Sequence, residues 1–272
     1  MTAAKGQTMV ERLSPNRPTQ RAGGLARLAL ILSGGGLLAA IIGAAGTGSG
    51  SFGFKIGLLL LVVGFLASSV GGLVAIIAFA RGRSSGAAHR RTILIALAIA
   101  LVFGGYFTAQ LSTALRVPPI HDITTNLVDV PRFTALTERA DNFAAIPGGG
   151  DPAFAGMDPR ARWAAIHRTG YGDLQTLHLP LDTAQAMRRA TRLVQARGWA
   201  IAKVDAGSGT IEATDTSLFF RFKDDVIVRI RPDLSPAGGA SLDMRSVSRV
   251  GESDIGVNAK RIRAFLADMK KG

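Results

Sequence analysis

The chain has 272 residues, a hydrophobic fraction of 47%, no cysteine and a formal net charge of +13. That length holds one or two domains, and the lack of cysteine excludes disulfides and thiol catalysis while fitting either side of a bacterial membrane. A sequence pI near 11.2 would point to nucleic acid if the charge covered one soluble surface; it does not, so no nucleic acid is expected as a partner.

The charge divides unevenly. Residues 1–115 carry ten Lys/Arg against one acid, Glu11, whereas 116–272 carry 22 bases and 18 acids. In the first part the bases flank three apolar runs, at about 25–46, 56–80 and 92–114. Each exceeds the roughly 20 residues that carry a helix across hydrocarbon. The first is expected to be a span rather than a signal peptide, because its basic leader is long and two further runs follow. Residues 1–24 then form a cytoplasmic basic tail. The tail with Arg27 holds five Lys/Arg, the Arg81–Arg91 loop four, and the loop between the first two runs only Lys55. Basic loops stay cytoplasmic, so three spans deliver residues 116–272 to the far side. The expected location is a bacterial inner membrane with a periplasmic C-terminal domain and the lipid bilayer as a partner. No Asp, Glu or His interrupts the spans, which argues against a pump or coupled transporter. Small residues recur at every fourth position: Gly36, Ala40, Ala44; Gly64, Ser68, Gly72; Ala96, Ala100, Gly104. Such stripes let helix backbones approach within one compact anchor, or between copies in a homo-oligomer.

Residues 116–180 read as an irregular, loop-rich segment with one short helix. Pro118, Pro119, Pro131, Pro147, Gly148–Gly150 and Pro152 interrupt regular structure. Asp158-Pro159 reads as N-cap and first helical residue, and Leu174–Leu179 as an edge strand. Residues 181–272 read as an α+β core. Asp182 and Gln185 make a capping box for a helix over Asp182–Arg197, and Gly198 supplies its left-handed C-terminal position. Strands are expected at Trp199–Val204, Thr210–Thr214, Val226–Arg231 and Ser241–Ser248, then a helix from about Asp254. Alternation sets Val226, Val228, Ile230, Leu242 and Met244 on one face and Arg229, Arg231, Asp243 and Arg245 on a wetter one. The expected fold is a three-helix transmembrane anchor plus an α+β domain, with a mostly antiparallel four- to five-stranded sheet and helices packed on one face.

Three separated motifs, IHDITTNLVDVPRF, IEATDTSLFFRFKDDVIVRIRP and SVSRVGESDIGVNAKRIRAFL, together resemble the domain-of-unknown-function 1499 family over about residues 117–270. The resemblance implies that 116–272 is one evolutionary unit, of a kind often membrane-anchored. It supplies no catalytic or binding residue.

Three groups of side chains are candidates for chemistry. At the start of the last helix, Ser253 or Asp254 serves as a cap, with Arg249 paired to Asp254 or Glu252; the alternative is an anion site on the helix N-terminus built with Arg245 and Arg249. On the wetter face, Arg229, Arg231 and Arg245 pair across strands with Asp243 or Glu212, or form a basic patch for an anionic lipid, a cell-wall polymer or another envelope protein. His121 and Asp122, with His167 and Asp173, are the set from which acid–base or metal chemistry could be built. Neighbours on an extended chain diverge, however, and neither a zinc-type HExxH nor a GxSxG nucleophile motif is present. No cofactor or metal is therefore expected. The functional expectation is a non-catalytic, membrane-anchored envelope protein that binds a partner; the alternative is a periplasmic enzyme with a His/Asp site.

Overall fold

A computed structural model of the chain describes residues 17–81, 86–144, 146–235 and 238–271. Residues 1–16 of the expected tail, and Arg83 of the basic loop, lie outside the described residues. The chain divides into two compact units, 1–108 and 109–272.

The first unit is built from α1 (Arg17–Gly48), α2 (Phe54–Arg81) and α3 (Ala87–Ala114), whose last turns belong to the second unit. Gly23–Gly48, Phe54–Arg81 and Ala87–Ala114 are long and apolar enough to cross a membrane, with mean hydropathy 2.2, 2.5 and 2.1. A helix is the form that satisfies every backbone group from within the segment, which hydrocarbon demands. The small residues pack α1 on α2. A Cβ added at Gly36 would lie 2.3 Å from the Gly64 carbonyl oxygen, and one at Gly64 equally close to that of Gly36. Leu59, Leu66, Leu73, Leu101 and Val102 are exposed, leaving large apolar side chains for the surroundings to cover.

The second unit is an α+β fold. Its elements are β1 (Asp122–Thr124), α4 (Pro159–Tyr171), β2 (Leu177–Leu179), α5 (Thr183–Ala196), β3 (Ala200–Asp205), β4 (Thr210–Thr216), β5 (Lys223–Pro232), β6 (Ala240–Ser248) and α6 (Val257–Lys270). The strands form one antiparallel sheet in the order β1-β6-β5-β4-β3, with β2 beside β6 further along the β1 edge. The local signals act where the sequence sets them. Asp158 accepts from the N–H groups of Arg160 and Ala161, Asp182 and Gln185 form the reciprocal capping box, and Gly198 is left-handed at φ 69°. The last helix begins at Val257, three residues later than its sequence implies, because Ile255 and Gly256 are left-handed at φ 49° and 82°. Asp254 still serves that N-terminus, accepting from the N–H groups of Gly256 and Asn258 at 2.8 and 2.7 Å.

Strand register separates two faces. Ile123, Ile211, Ala213, Val226, Val228, Ile230, Leu242 and Met244 share one and are buried with Ala190 and Val194 of α5 and Ile262, Phe265 and Met269 of α6. Trp163, Leu177 and Leu179 join this core. The 116–180 stretch thus supplies the expected short helix, an edge strand β2 within the expected Leu174–Leu179, and a further strand, β1, that its prolines and glycines do not advertise. The opposite face carries Asp122, Glu212, Asp225, Arg229, Asp243 and Arg245, all of them buried. Alternation alone reads such residues as wet. Here the segment 126–142 lies across them as a strap and supplies hydrogen-bond partners in place of water to all but Asp225, which Thr214 and Arg249 hold.

Candidate functional site

The strap is held by charge. Glu212 on β4 accepts from the backbone N–H and hydroxyl of Thr134 at 2.8 and 2.6 Å, and from the N–H groups of Ala135 and Leu136 at 2.9 and 2.8 Å. Burial alone would raise its carboxyl, but these donors outweigh that and hold it below its ordinary value. Arg245 on β6 grips Asp122 on β1 with two parallel bonds, Nε to Oδ1 at 2.9 Å and Nη2 to Oδ2 at 2.6 Å. It also reaches Glu138 and the Pro131 carbonyl of the strap, and stacks over Phe133. Burial opposes its charge, yet Asp122 and Glu138 together raise its pKa. Arg229 pairs with its cross-strand neighbour Asp243 at 2.7 Å and donates to the Asp129 carbonyl at 2.6 Å. Asp243 in turn accepts from Thr125, Asn126 and Thr176.

A second arrangement closes the β1 edge. An edge strand exposes every other N–H and C=O to pairing with foreign chains. On β1 these groups belong to Asp122 and Thr124, and α4 covers both. Trp163 Nε1 donates to the Asp122 carbonyl at 2.7 Å, and the Thr124 N–H donates to His167 Nε2 at 3.1 Å. Positions four apart on a helix share a face, so one turn of α4 matches the spacing of the two backbone groups. To accept that bond Nε2 must be unprotonated. Burial pushes the His167 pKa down to about 4 and that of Tyr171, one turn on, up to about 12. His167 Nδ1 and the Tyr171 hydroxyl are buried without partners among the described residues.

His121 and Asp122 meet through Asn142. His121 Nε2 contacts Asn142 Oδ1 at 3.0 Å, and Asn142 Nδ2 donates to Asp122 Oδ2 at 2.6 Å. His167 serves the β1 edge, and Asp173 is exposed with Arg263 on both its oxygens. Among the described residues no hydrogen bond joins either to His121 or to the Asp122 carboxylate. Arg249 grips Asp225, with both contacts at 2.8 Å, rather than Asp254 or Glu252 as chain proximity implied. Asp225 pairs across strands with Val247, two residues before Arg249, which brings it within reach of the guanidinium. Among the described residues no group of three or more His, Asp or Glu is placed to hold a metal.

Asn142 and Asn258 organise these networks without having been legible as candidates. Asn258 is fully buried; its Nδ2 donates to the His121 carbonyl and Ser248 Oγ, while its Oδ1 accepts from Ser246 and Arg261. The only sequence signal is an asparagine in the first turn of a helix, facing apolar positions.

Unpaired positive charge collects elsewhere. A cleft of about 740 Å³ lies between α5, the β3–β4 turn and the end of β5. Met187, Val204 and Ile230 give it apolar walls, and Arg188, Arg192 and Arg231 line it. Arg188 and Arg192 stand one turn apart on α5, are exposed, and make no ion pair among the described residues. Arg231 pairs with Asp129 at 2.6 Å, both side chains half exposed. Asp205 at the rim is taken up by Lys203 and by the N–H groups of Gly207 and Ser208. Of the arginines that the sequence alone singles out, Arg231 is the one that lines this cleft; Arg229 and Arg245 are enclosed under the strap.

In comparison with known proteins, the family described as protein of unknown function (DUF1499) matches residues 122–269. No curated protein and no solved structure matches the chain.

Proposed function

The chain belongs to the DUF1499 family, and from that premise we propose that it is a non-catalytic binding module of the bacterial envelope. Its three helices anchor it in the inner membrane, and its α+β domain faces the periplasm. The observation that carries the reading is a contrast in how charge is used. Asp122, Glu212, Asp243 and Arg245 are buried and occupied by one another or by the strap. Arg188 and Arg192, by contrast, stand exposed beside apolar walls in a cleft of about 740 Å³. That size suits a small anionic group or one repeat of an acidic chain. Guanidinium groups bind carboxylate and phosphate through paired donors.

The cleft lies at the end of the sheet where β5 finishes, and the chain arrives from α3 at the end where β5 starts. Ten strand residues, Lys223–Pro232, separate those ends by about 30 Å. An open cleft with apolar walls and two arginines unpaired among the described residues suits an acidic cell-wall polymer. The test is sedimentation of the detergent-solubilised full chain with purified peptidoglycan. The wild-type chain is expected to pellet and the Arg188→Glu/Arg192→Glu chain to stay in the supernatant. Equal pelleting of both, or of neither, refutes the reading.

A further inference from the structure

The β4–β5 loop, residues 217–222, holds the most exposed large apolar pair of the second unit that is adjacent in sequence: Leu218 is 78% and Phe219 63% exposed. The loop is a defined structure. Ser217 N–H donates to the Phe222 carbonyl and the Phe222 N–H to Ser217 Oγ, both at 2.8 Å, and Phe220 and Phe222 stack at 5.2 Å. Arg221 turns the chain with φ 56°. A loop closed this firmly presents Leu218 and Phe219 outward by construction, and exposed apolar clusters of this kind mark interaction surfaces.

What covers them is indicated by the surroundings. Arg221 and Lys223 follow the pair within four residues and make no ion pair among the described residues. Arg249, whose N–H donates to the Lys223 carbonyl, stands beside them, and Val250 adds further exposed apolar surface. Arg249 is already engaged with Asp225, and Glu252 is the one nearby acid with no ion pair among the described residues. Asp215 and Asp224, which bracket the loop, are paired with Arg261. Among the described residues the unpaired charges next to the apolar pair are thus the cations Arg221 and Lys223, and apolar side chains beside cations are the composition that settles at a lipid headgroup boundary.

The chain's own connection fixes how far away such a boundary can be. Ala114 ends the last candidate span and Asp122 begins β1, so seven residues join them. Fully extended they reach at most about 25 Å, and a turn from the Ile120 N–H to the Pro118 carbonyl shortens them. They meet the sheet at the end that bears the loop. Asp122 pairs with Val247, Val247 with Asp225, and the next residue of that strand pair is followed by Lys223 and the loop. Ser248 N–H donates to the His121 carbonyl at the same end.

We infer that the 217–222 loop docks in the interface of the anionic bilayer that anchors the chain, with Leu218 and Phe219 below the headgroups and Arg221 and Lys223 among the phosphates. The inference rests on the reading of the three helices as membrane spans.

Because the chain has no cysteine, the test uses single substitutions in the full chain, Phe219→Cys, Leu218→Cys, Val128→Cys and Leu66→Cys. Each is spin-labelled in nanodiscs containing phosphatidylglycerol, and collision with oxygen is compared with collision with a water-soluble nickel chelate. Val128, 99% exposed near the opposite end, is the aqueous reference, and Leu66 within α2 is the lipid reference. The expected result is an oxygen-to-nickel ratio at 218 and 219 several-fold above that at 128. Adding Arg221→Glu/Lys223→Glu is expected to lower it toward the value at 128. A lipid-type ratio at 66 with an aqueous one at both loop positions overturns the docking alone. An aqueous ratio at 66 overturns the membrane anchor as well.

Discussion

Replacing His167 with Gln isolates the acid sensitivity that the edge-capping contact builds into the domain. An imidazole in the unfolded chain takes a proton near 6.5, whereas the folded one resists until about 4. Between those values the unfolded state binds the extra proton. Stability is therefore full above pH 6.5 and is lost as pH falls toward 4, at about 1.4 kcal/mol per pH unit for one group, some 3 kcal/mol in all. That is a large share of the roughly 5–15 kcal/mol that holds a domain folded. Both tryptophans of the chain, Trp163 and Trp199, lie in the second unit, and the Trp163 ring is 5.7 Å from His167. Urea unfolding of the detergent-solubilised chain followed by tryptophan emission thus reports this unit. The Asp254 carboxyl, raised by burial, titrates with the opposite sign: its contribution is present below 3.8 and is lost as pH rises through the folded value. It is common to both proteins and cancels in the comparison. The wild-type chain should lose about 3 kcal/mol relative to His167→Gln between pH 7.5 and pH 4. A difference between the two that does not change with pH refutes the role given to the His167–Thr124 bond.

Other substitutions test the strap and the buried pairs. Glu212→Gln turns a group that accepts four bonds into one that offers its own N–H to donors; a loss of about 2–4 kcal/mol is expected, together with faster amide exchange at Thr134, Ala135 and Leu136. Arg245→Met strands the buried Asp122 carboxylate and should cost about 3–5 kcal/mol, while adding Asp122→Asn should recover part of that; equal stability of the single and double variants would contradict the pairing. Tyr171→Phe removes a buried hydroxyl that has no partner among the described residues, so the unfolding free energy should hold or rise, by up to about 1 kcal/mol; a fall of that size would mean the hydroxyl has a partner.

The sequence discloses what is decided within a few residues. The capping box at Asp182 and Gln185, the Asp158-Pro159 start of α4, the left-handed Gly198, and β3, β4 and β6 within two residues of their ends were all legible from local patterns, while β5 starts three residues before the alternation at Val226 announces it. The apolar runs of the first unit were legible for the same reason, since hydropathy sums over one segment. What local patterns do not disclose is which distant segment lies on a given face. Arg229 and Arg245 alternate as solvent-facing residues do, and only the passage of 126–142 over them makes them buried. Trp163 reads as an apolar residue of a short helix and His167 as a member of a candidate acid–base set; that the two cap β1, some forty residues earlier in sequence, depends on tertiary placement. Ile255 misleads in the opposite direction, because a β-branched residue is the least expected occupant of a left-handed turn, and its neighbour Gly256 carries the only local hint that α6 starts late.

The most direct test of the account is whether the α+β domain lies on the side of the membrane where an envelope polymer can reach the arginine cleft. With a single cysteine at Val128 in the otherwise cysteine-free chain, a membrane-impermeant maleimide added to intact bacteria should label the protein before the cells are broken, while a cysteine in the Arg81–Arg91 loop should react only after lysis. Labelling at 128 that appears only after lysis would place the domain in the cytosol and contradict the proposed function.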